Sequence, residues 1–118
     1  MANKILVVED HADTRNGFAE MLRLGGYNVD TAENGQEGIS QAHTDLPDLI
    51  ITDIMMPVMD GIEMIRRLRA TTDCQRTPII VISAYGDKAL EAARAGASEV
   101  LGKPVNPSSL MKAIKSLI

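Results

Sequence analysis

The chain has 118 residues, of which 45% are apolar and 24% are charged, and its formal net charge is -4. Its length fits one domain covering residues 1–118, and its composition excludes a disordered chain. No stretch gathers the positive charge that binding to a phosphate backbone relies on, so we expect no direct nucleic-acid binding. The single cysteine, Cys74, has no disulfide partner, and the apolar run after Lys4 is only four residues long. We therefore expect a cytoplasmic protein that is neither exported nor inserted in a membrane.

The first half of the chain alternates apolar runs with helical patterns. Residues 5–8 (ILVV) form an unbroken run rich in β-branched side chains, which predicts a strand covered on both faces. The apolar spacing of residues 18–25 then predicts a helix. Residues 27–31 alternate apolar with polar side chains, which predicts an edge strand. A helical pattern covers about residues 35–43, and residues 49–51 (LII) predict another central strand.

The second half repeats this alternation. Residues 61–68 show helical apolar spacing, and residues 79–82 (IIVI) predict a third central strand. An alanine-rich helical segment covers about residues 87–95, and the short run at residues 100–101 predicts the second edge strand. Apolar residues at positions 110, 113, 114 and 117 mark the last helix, with Pro107 in its first turn and Asn106 as its N-cap.

Five strand–helix units follow from this pattern. Three central strands, two edge strands and right-handed crossovers predict an α/β fold with a doubly wound, five-stranded parallel sheet. The economical strand order is 2-1-3-4-5, a flavodoxin-like (βα)5 arrangement. Such sheets carry their functional groups beyond the carboxyl ends of the strands.

Five polar residues occupy those strand ends: Glu9, Asp10, Asp53, Ser83 and Lys103. The three carboxylates repel one another, so a cation belongs between them, and oxygen ligands favour Mg²⁺. Mg²⁺ commonly binds substrate phosphate oxygens as well, which indicates phosphoryl chemistry. Asp53 is then the natural nucleophile, with Glu9 and Asp10 holding the metal and with Ser83 and Lys103 stabilising the transferred group.

Four motifs resemble those of the receiver domain of two-component response regulators. They are ILVVED at residues 5–10, DIMMPVMDG at 53–61, IIVISA at 79–84, and Lys103 with Pro104. The resemblance spans essentially the whole chain. It implies a phosphoacceptor domain that receives its phosphoryl group from a phosphohistidine of a sensor histidine kinase or phosphotransfer protein. Phosphorylation then changes binding to a downstream protein target.

The resemblance also assigns roles within the site. It implies that Asp53 is phosphorylated and that Mg²⁺ is held by Asp10, Asp53 and the backbone carbonyl of Met55. Glu9 is implied to act on the metal mainly through water. Ser83 and Lys103 are implied to contact the phosphoryl group.

Two local features concern the family pattern: one is implied by it, and the other departs from it. The resemblance implies a cis peptide bond between Lys103 and Pro104. Val100 stands where many members have an aromatic residue that takes part in switching, so we expect Ser83, Lys103 and the 87–95 helix to carry the switch without one. Its small β-branched side chain cannot swing between two distant positions.

Three other functions deserve comparison. FMN binding fits the fold, but Glu9 and Asp10 would repel a phosphate at the first strand. An aspartyl-phosphate phosphatase would need a second acid two residues after the nucleophile, where this chain has Met55. A receiver-like interaction module that is never phosphorylated would not need the complete set of five residues. We expect Met55 and Tyr85 to keep water from phosphorylated Asp53, which suits a signal better than a turnover enzyme.

Overall fold

The apolar runs of the sequence form the centre of a parallel sheet. The structure is a computed structural model that describes residues 3–84 and 87–118. Its strands are β1 (Lys4–Val8), β2 (Asn28–Ala32), β3 (Leu49–Asp53), β4 (Ile79–Ser83) and β5 (Glu99–Gly102). They form one sheet in the order β2-β1-β3-β4-β5, with every neighbouring pair parallel. The predicted fold class and strand order are therefore confirmed.

In the described residues a helix follows each strand: α1 (Ala12–Leu24), α2 (Gly35–Asp45), α3 (Gly61–Arg69) and α4 (Asp87–Ala95) connect successive strands, and α5 (Pro107–Leu117) follows β5. The predicted start of α5 is confirmed, because Asn106 Oδ1 accepts hydrogen bonds from the amides of Ser108 and Ser109. α2 runs two residues beyond the predicted end at His43. It stops at Leu46, whose left-handed φ of 47° turns the chain while its amide still bonds to Ala42.

Alternate residues along each central strand feed two separate cores. Leu6, Ile50 and Val81 face the side covered by α2, α3 and α4, whereas Ile5, Ile51 and Ile80 face α1 and α5. Each fully buried aliphatic side chain contributes about 1.5–3 kcal/mol relative to an exposed one. Burial on both faces explains why these strands are unbroken apolar runs.

The C-terminal end of α4 is anchored to its neighbours by Arg69. Its guanidinium donates hydrogen bonds to the carbonyl oxygens of Gly96 and Cys74, at 2.9–3.0 Å. Gly96 has a φ of +120°, and a side chain there would collide with Arg69.

In the part of the chain that the structure describes, every helix is too short or too polar to cross a membrane.

Candidate functional site

The strand register brings the polar strand ends to one edge of the sheet. Asp53 at the end of β3 pairs with Ile82, so Ser83 lies one residue further along β4. Ser83 pairs in turn with Gly102, and the amide of Lys103 donates to the Ser83 carbonyl oxygen at 3.0 Å. Ser83 is only 6% exposed. Each predicted site residue on β3, β4 and β5 therefore follows or ends a strand at this edge.

Three carboxylates meet beside β1. One oxygen from each of Glu9, Asp10 and Asp53 lies within 4.8 Å of the other two. Glu9 is only 4% exposed. Burial, and then the nearby charge of Asp53, raise the pKa of Glu9 to about 7, although Lys103 acts in the opposite direction. A divalent cation fits this oxygen donor set and would relieve the repulsion between the ionised carboxylates.

Asp53 is held from two sides. The Ile54 amide donates to its Oδ1 at 2.7 Å, and Lys103 Nζ donates to its Oδ2 at 2.6 Å. The same ammonium lies 3.8 Å from Glu9 Oε1. Burial lowers the pKa of Lys103, but the hydrogen bond and charge of Asp53, together with the charges of Glu9 and Asp10, raise it on balance. Lys103 therefore remains a cation at the carboxylates.

Lys103 also begins the last loop of the fold. The peptide bond between Lys103 and Pro104 is cis, as the family resemblance implied. An open recess of about 380 Å³ lies beside Lys103 and is lined in part by Thr14, Phe18 and Val105. The lysine thus lies between the acidic cluster and an open surface.

The DIMMPVMDG segment forms the loop behind Asp53 and the start of α3. The amide of Gly61 donates to the Ile54 carbonyl oxygen at 2.9 Å, and Asp60 caps α3 by accepting from the Glu63 amide at 2.9 Å. Met55 lies on this loop, two residues after Asp53, and is 59% exposed. Tyr85, which was grouped with Met55 as a shield against water, lies outside the described residues.

One residue near the site was missed by the sequence analysis. Arg15 Nη1 donates to the carbonyl oxygen of Glu9 at 3.0 Å and lies 3.5 Å from that of Asp10. A sequence signal was present, because a cation in the first turn of a helix opposes the helix dipole and needs a compensating contact. That contact could not be identified without knowing how the loop after β1 folds.

Comparison with known proteins identifies one family over nearly the whole chain. The family model described as the response regulator receiver domain matches residues 5–115. The transcriptional regulatory protein ResD of Bacillus subtilis is 38% identical over 117 residues, covering 98% of this chain and 48% of ResD. The chain therefore spans about half the length of ResD and of several other curated relatives.

Solved structures agree with this comparison. The chemotaxis response regulator CheY4 of Vibrio cholerae has a TM-score of 0.93 and 32% identity, with all of both chains covered. The response regulator protein TrrA of Thermotoga maritima, solved in complex with Mg(2+)-BeF, has a TM-score of 0.90 and 33% identity. That similarity covers 98% of this chain and 99% of TrrA.

Proposed function

This chain belongs to the response regulator receiver domain family, and we propose that it is a phosphoacceptor signalling domain in which Asp53 is phosphorylated. The arrangement around Asp53 carries the proposal. Its carboxylate lies at the end of a central strand, held by the Ile54 amide and Lys103, with two further carboxylates adjacent. We assign residues 1–118 to one such domain.

In the proposed reaction an Asp53 oxygen attacks the phosphorus of a phosphohistidine on a partner protein. A P–O bond forms while the P–N bond breaks, and the imidazole leaves with the electron pair. Lys103 neutralises charge on the phosphoryl oxygens, and Ser83 donates its hydroxyl hydrogen to one of them. Lys103 is already in place, because its Nζ contacts Asp53 Oδ2 at 2.6 Å.

We propose that Glu9, Asp10, Asp53 and the backbone carbonyl of Met55 hold Mg²⁺, with Glu9 acting mainly through water. The clustered oxygen donors and the raised pKa of Glu9 support this assignment. When bound, the cation neutralises charge on the carboxylates and on the phosphoryl oxygens. The similarity to TrrA, solved with Mg(2+)-BeF, also supports it.

The domain is proposed to assist its own phosphorylation and dephosphorylation rather than to turn over a substrate. A phosphatase of the aspartyl-phosphate type would need an acid where this chain has Met55, so this chain assists hydrolysis less than such an enzyme does. Signal duration then depends on how slowly phosphorylated Asp53 meets an activated water.

The proposed partners are a sensor histidine kinase or phosphotransfer protein as phosphodonor and a protein as downstream target. The open recess beside Lys103, lined in part by Thr14 and Val105, is a surface next to the site that a phosphodonor protein could contact. The lone, buried thiol of Cys74 suits a reducing compartment, which supports our proposal of a cytoplasmic location.

Intact-mass measurement with a small phosphodonor tests the proposal. With Mg²⁺ we expect one added phosphoryl group, and none in excess EDTA or in Asp53→Asn. Asp60→Asn is the matched control, because asparagine also caps helices well and α3 should persist. It should be labelled like the wild type. Equal labelling of Asp53→Asn would overturn the choice of nucleophile, and full labelling in EDTA would overturn the need for metal.

A further inference from the structure

We propose that Arg15 is a positioning residue that holds the loop carrying Glu9 and Asp10 in the conformation that binds a divalent cation. The inference rests on the proposed function, since it concerns the metal site that the phosphoryl chemistry requires. Arg15 itself acts only through the backbone of the acidic pair.

The first argument is the direct contact. One guanidinium nitrogen of Arg15 lies 3.0 Å from the Glu9 carbonyl oxygen and 3.5 Å from the Asp10 carbonyl oxygen. This nitrogen, Nη1, carries two hydrogens in the fixed plane of the guanidinium, so it can donate to the two successive carbonyl oxygens together. The Arg15 side chain is only 13% exposed, which limits its freedom to leave these contacts.

The second argument is the position of Arg15 in its helix. Arg15 lies in the first turn of α1, where the helix dipole disfavours a positive charge. The second terminal nitrogen of Arg15, Nη2, lies 3.7 Å from Oε1 of Glu33, which is on the loop after β2. Glu33 is 65% exposed, so this ion pair contributes little energy by itself. The ion pair orients the guanidinium, which then joins the loop after β1 to the loop after β2.

Charge alone predicts the opposite effect of a mutation. A fixed cation next to Glu9 and Asp10 repels an incoming Mg²⁺, so removing it would tighten metal binding if Coulomb interaction dominated. If positioning dominates, removing Arg15 loosens the loop and weakens metal binding. Outer-shell residues that orient metal ligands typically contribute about 10- to 100-fold to metal affinity.

Arg23 supplies a matched control on the same helix. It lies in the last turn of α1, and its Nη2 donates to the carbonyl oxygen of Val29 at 2.9 Å. Arg23→Gln therefore removes the same charge and a comparable contact to a backbone carbonyl, but away from the acidic pair. A general loss of stability would affect both variants, whereas a positioning effect is limited to Arg15→Gln.

The experiment is calorimetric titration of Mg²⁺ into the metal-free full chain without a phosphodonor. We expect about 10-fold weaker binding in Arg15→Gln, wild-type affinity in Arg23→Gln, and intermediate affinity in Arg15→Lys. The lysine keeps the charge, but its single nitrogen cannot contact the two carbonyl oxygens and Glu33 together. Amide NMR shifts of Glu9 and Asp10 should move in Arg15→Gln but not in Arg23→Gln.

Unchanged or tighter binding in Arg15→Gln would overturn the proposal, as would no binding by the wild type. If Arg15→Gln does not fold, Arg15→Lys decides, and wild-type affinity in that variant would overturn it. The proposed function is tested separately, because the labelling of Asp53 against Asp53→Asn does not depend on Arg15. A failure of either inference can therefore be recognised.

Discussion

Gly61 packs directly against the backbone carbonyl of Asp53. A Cβ on Gly61 would overlap the Asp53 carbonyl oxygen and would also contact Ile54 Cα. The first turn of α3 is thus pressed against the end of β3, immediately behind the proposed phosphoacceptor. This close approach explains why a glycine ends the DIMMPVMDG segment.

Gly61→Ala should therefore displace Asp53 and destabilise the fold. Forcing a methyl group into a filled space costs about 1–3 kcal/mol. We expect a loss of this size in urea unfolding, together with slower labelling of Asp53 by a small phosphodonor. The control is Gly17→Ala in the exposed middle of α1, where a Cβ would have no neighbour within 4 Å. That change should stabilise the protein by about 0.5–1 kcal/mol, and equal effects at the two glycines would contradict the packing argument.

The buried carboxyl of Glu9 should make the metal-free protein sensitive to pH. Burial, and then the charge of Asp53, raise its pKa in the folded state from the ordinary 4.5 to about 7. At pH values between 4.5 and about 7, Glu9 therefore keeps its proton in the folded state but has released it in the unfolded state. This contribution to stability is complete below about pH 4.5 and is lost as pH rises through about 7. At about 1.36 kcal/mol per pKa unit, the shift from 4.5 to about 7 corresponds to a loss on the order of 3 kcal/mol.

Urea unfolding in EDTA at several pH values between 5 and 8 measures this loss. Glu9→Gln should flatten the pH dependence, because the amide stays neutral throughout. Mg²⁺ should stabilise the wild type increasingly as pH rises, since a cation binds the ionised cluster. The same slope in wild type and Glu9→Gln would show that another group is responsible.

Met55→Asn should shorten the lifetime of phosphorylated Asp53. The thioether of Met55 activates no water, whereas an amide at this position can hydrogen-bond one beside the phosphoryl group. One such bond is equivalent to about 0.5–1.5 kcal/mol, or an acceleration of about 2- to 10-fold. Intact mass followed after removal of the phosphodonor gives the rate. Met55→Leu is the matched apolar control, and an equally fast loss in that variant would mean that exclusion of water does not set the lifetime. Tyr85→Glu is predicted to act in the same direction.

Ser83→Ala should uncouple the site from α4. Phosphorylation adds about -1.5 to -2 units of charge and strong acceptor oxygens, which should draw the Ser83 hydroxyl and Lys103 inward. Val100 of β5 and Ala92 of α4 pack in the same core. A movement of Ser83 and Lys103 is therefore transmitted to α4 by side-chain packing, without an aromatic residue. Because Arg69 anchors the far end of α4 at Gly96, the larger response should lie near its start.

NMR with beryllofluoride as phosphate mimic provides the measurement. We expect the shifts to concentrate in residues 84–95 of the wild type and to be largely lost in Ser83→Ala. Ser98→Ala is the control, because Ser98 accepts from the Ile79 amide at the opposite end of β4. It should lower stability and leave the response in place. Undiminished shifts in Ser83→Ala would exclude this route.

The sequence by itself determined the sheet and most of the proposed site. Unbroken β-branched runs specify central strands because both of their faces are covered, and that pattern is local to each run. Once the strand order is predicted, the polar residues that follow parallel strands must lie at the same carboxyl edge of the sheet. Glu9, Asp53 and Lys103 could therefore be grouped before any coordinates were known. The N-cap at Asn106 was equally predictable, since its partners lie two and three residues away.

Only the tertiary structure decided how these groups act on one another. Strand β3 extends to Asp53, beyond the apolar run, because its ladder with β4 continues to that residue. The raised pKa of Glu9 depends on its burial and on the distance to Asp53, which is remote along the chain. The contact of Gly61 with Asp53 and that of Arg15 with the acidic pair depend on how loops fold back on the sheet. Periodicity and composition describe the chain one segment at a time, whereas these effects are set by distances between segments.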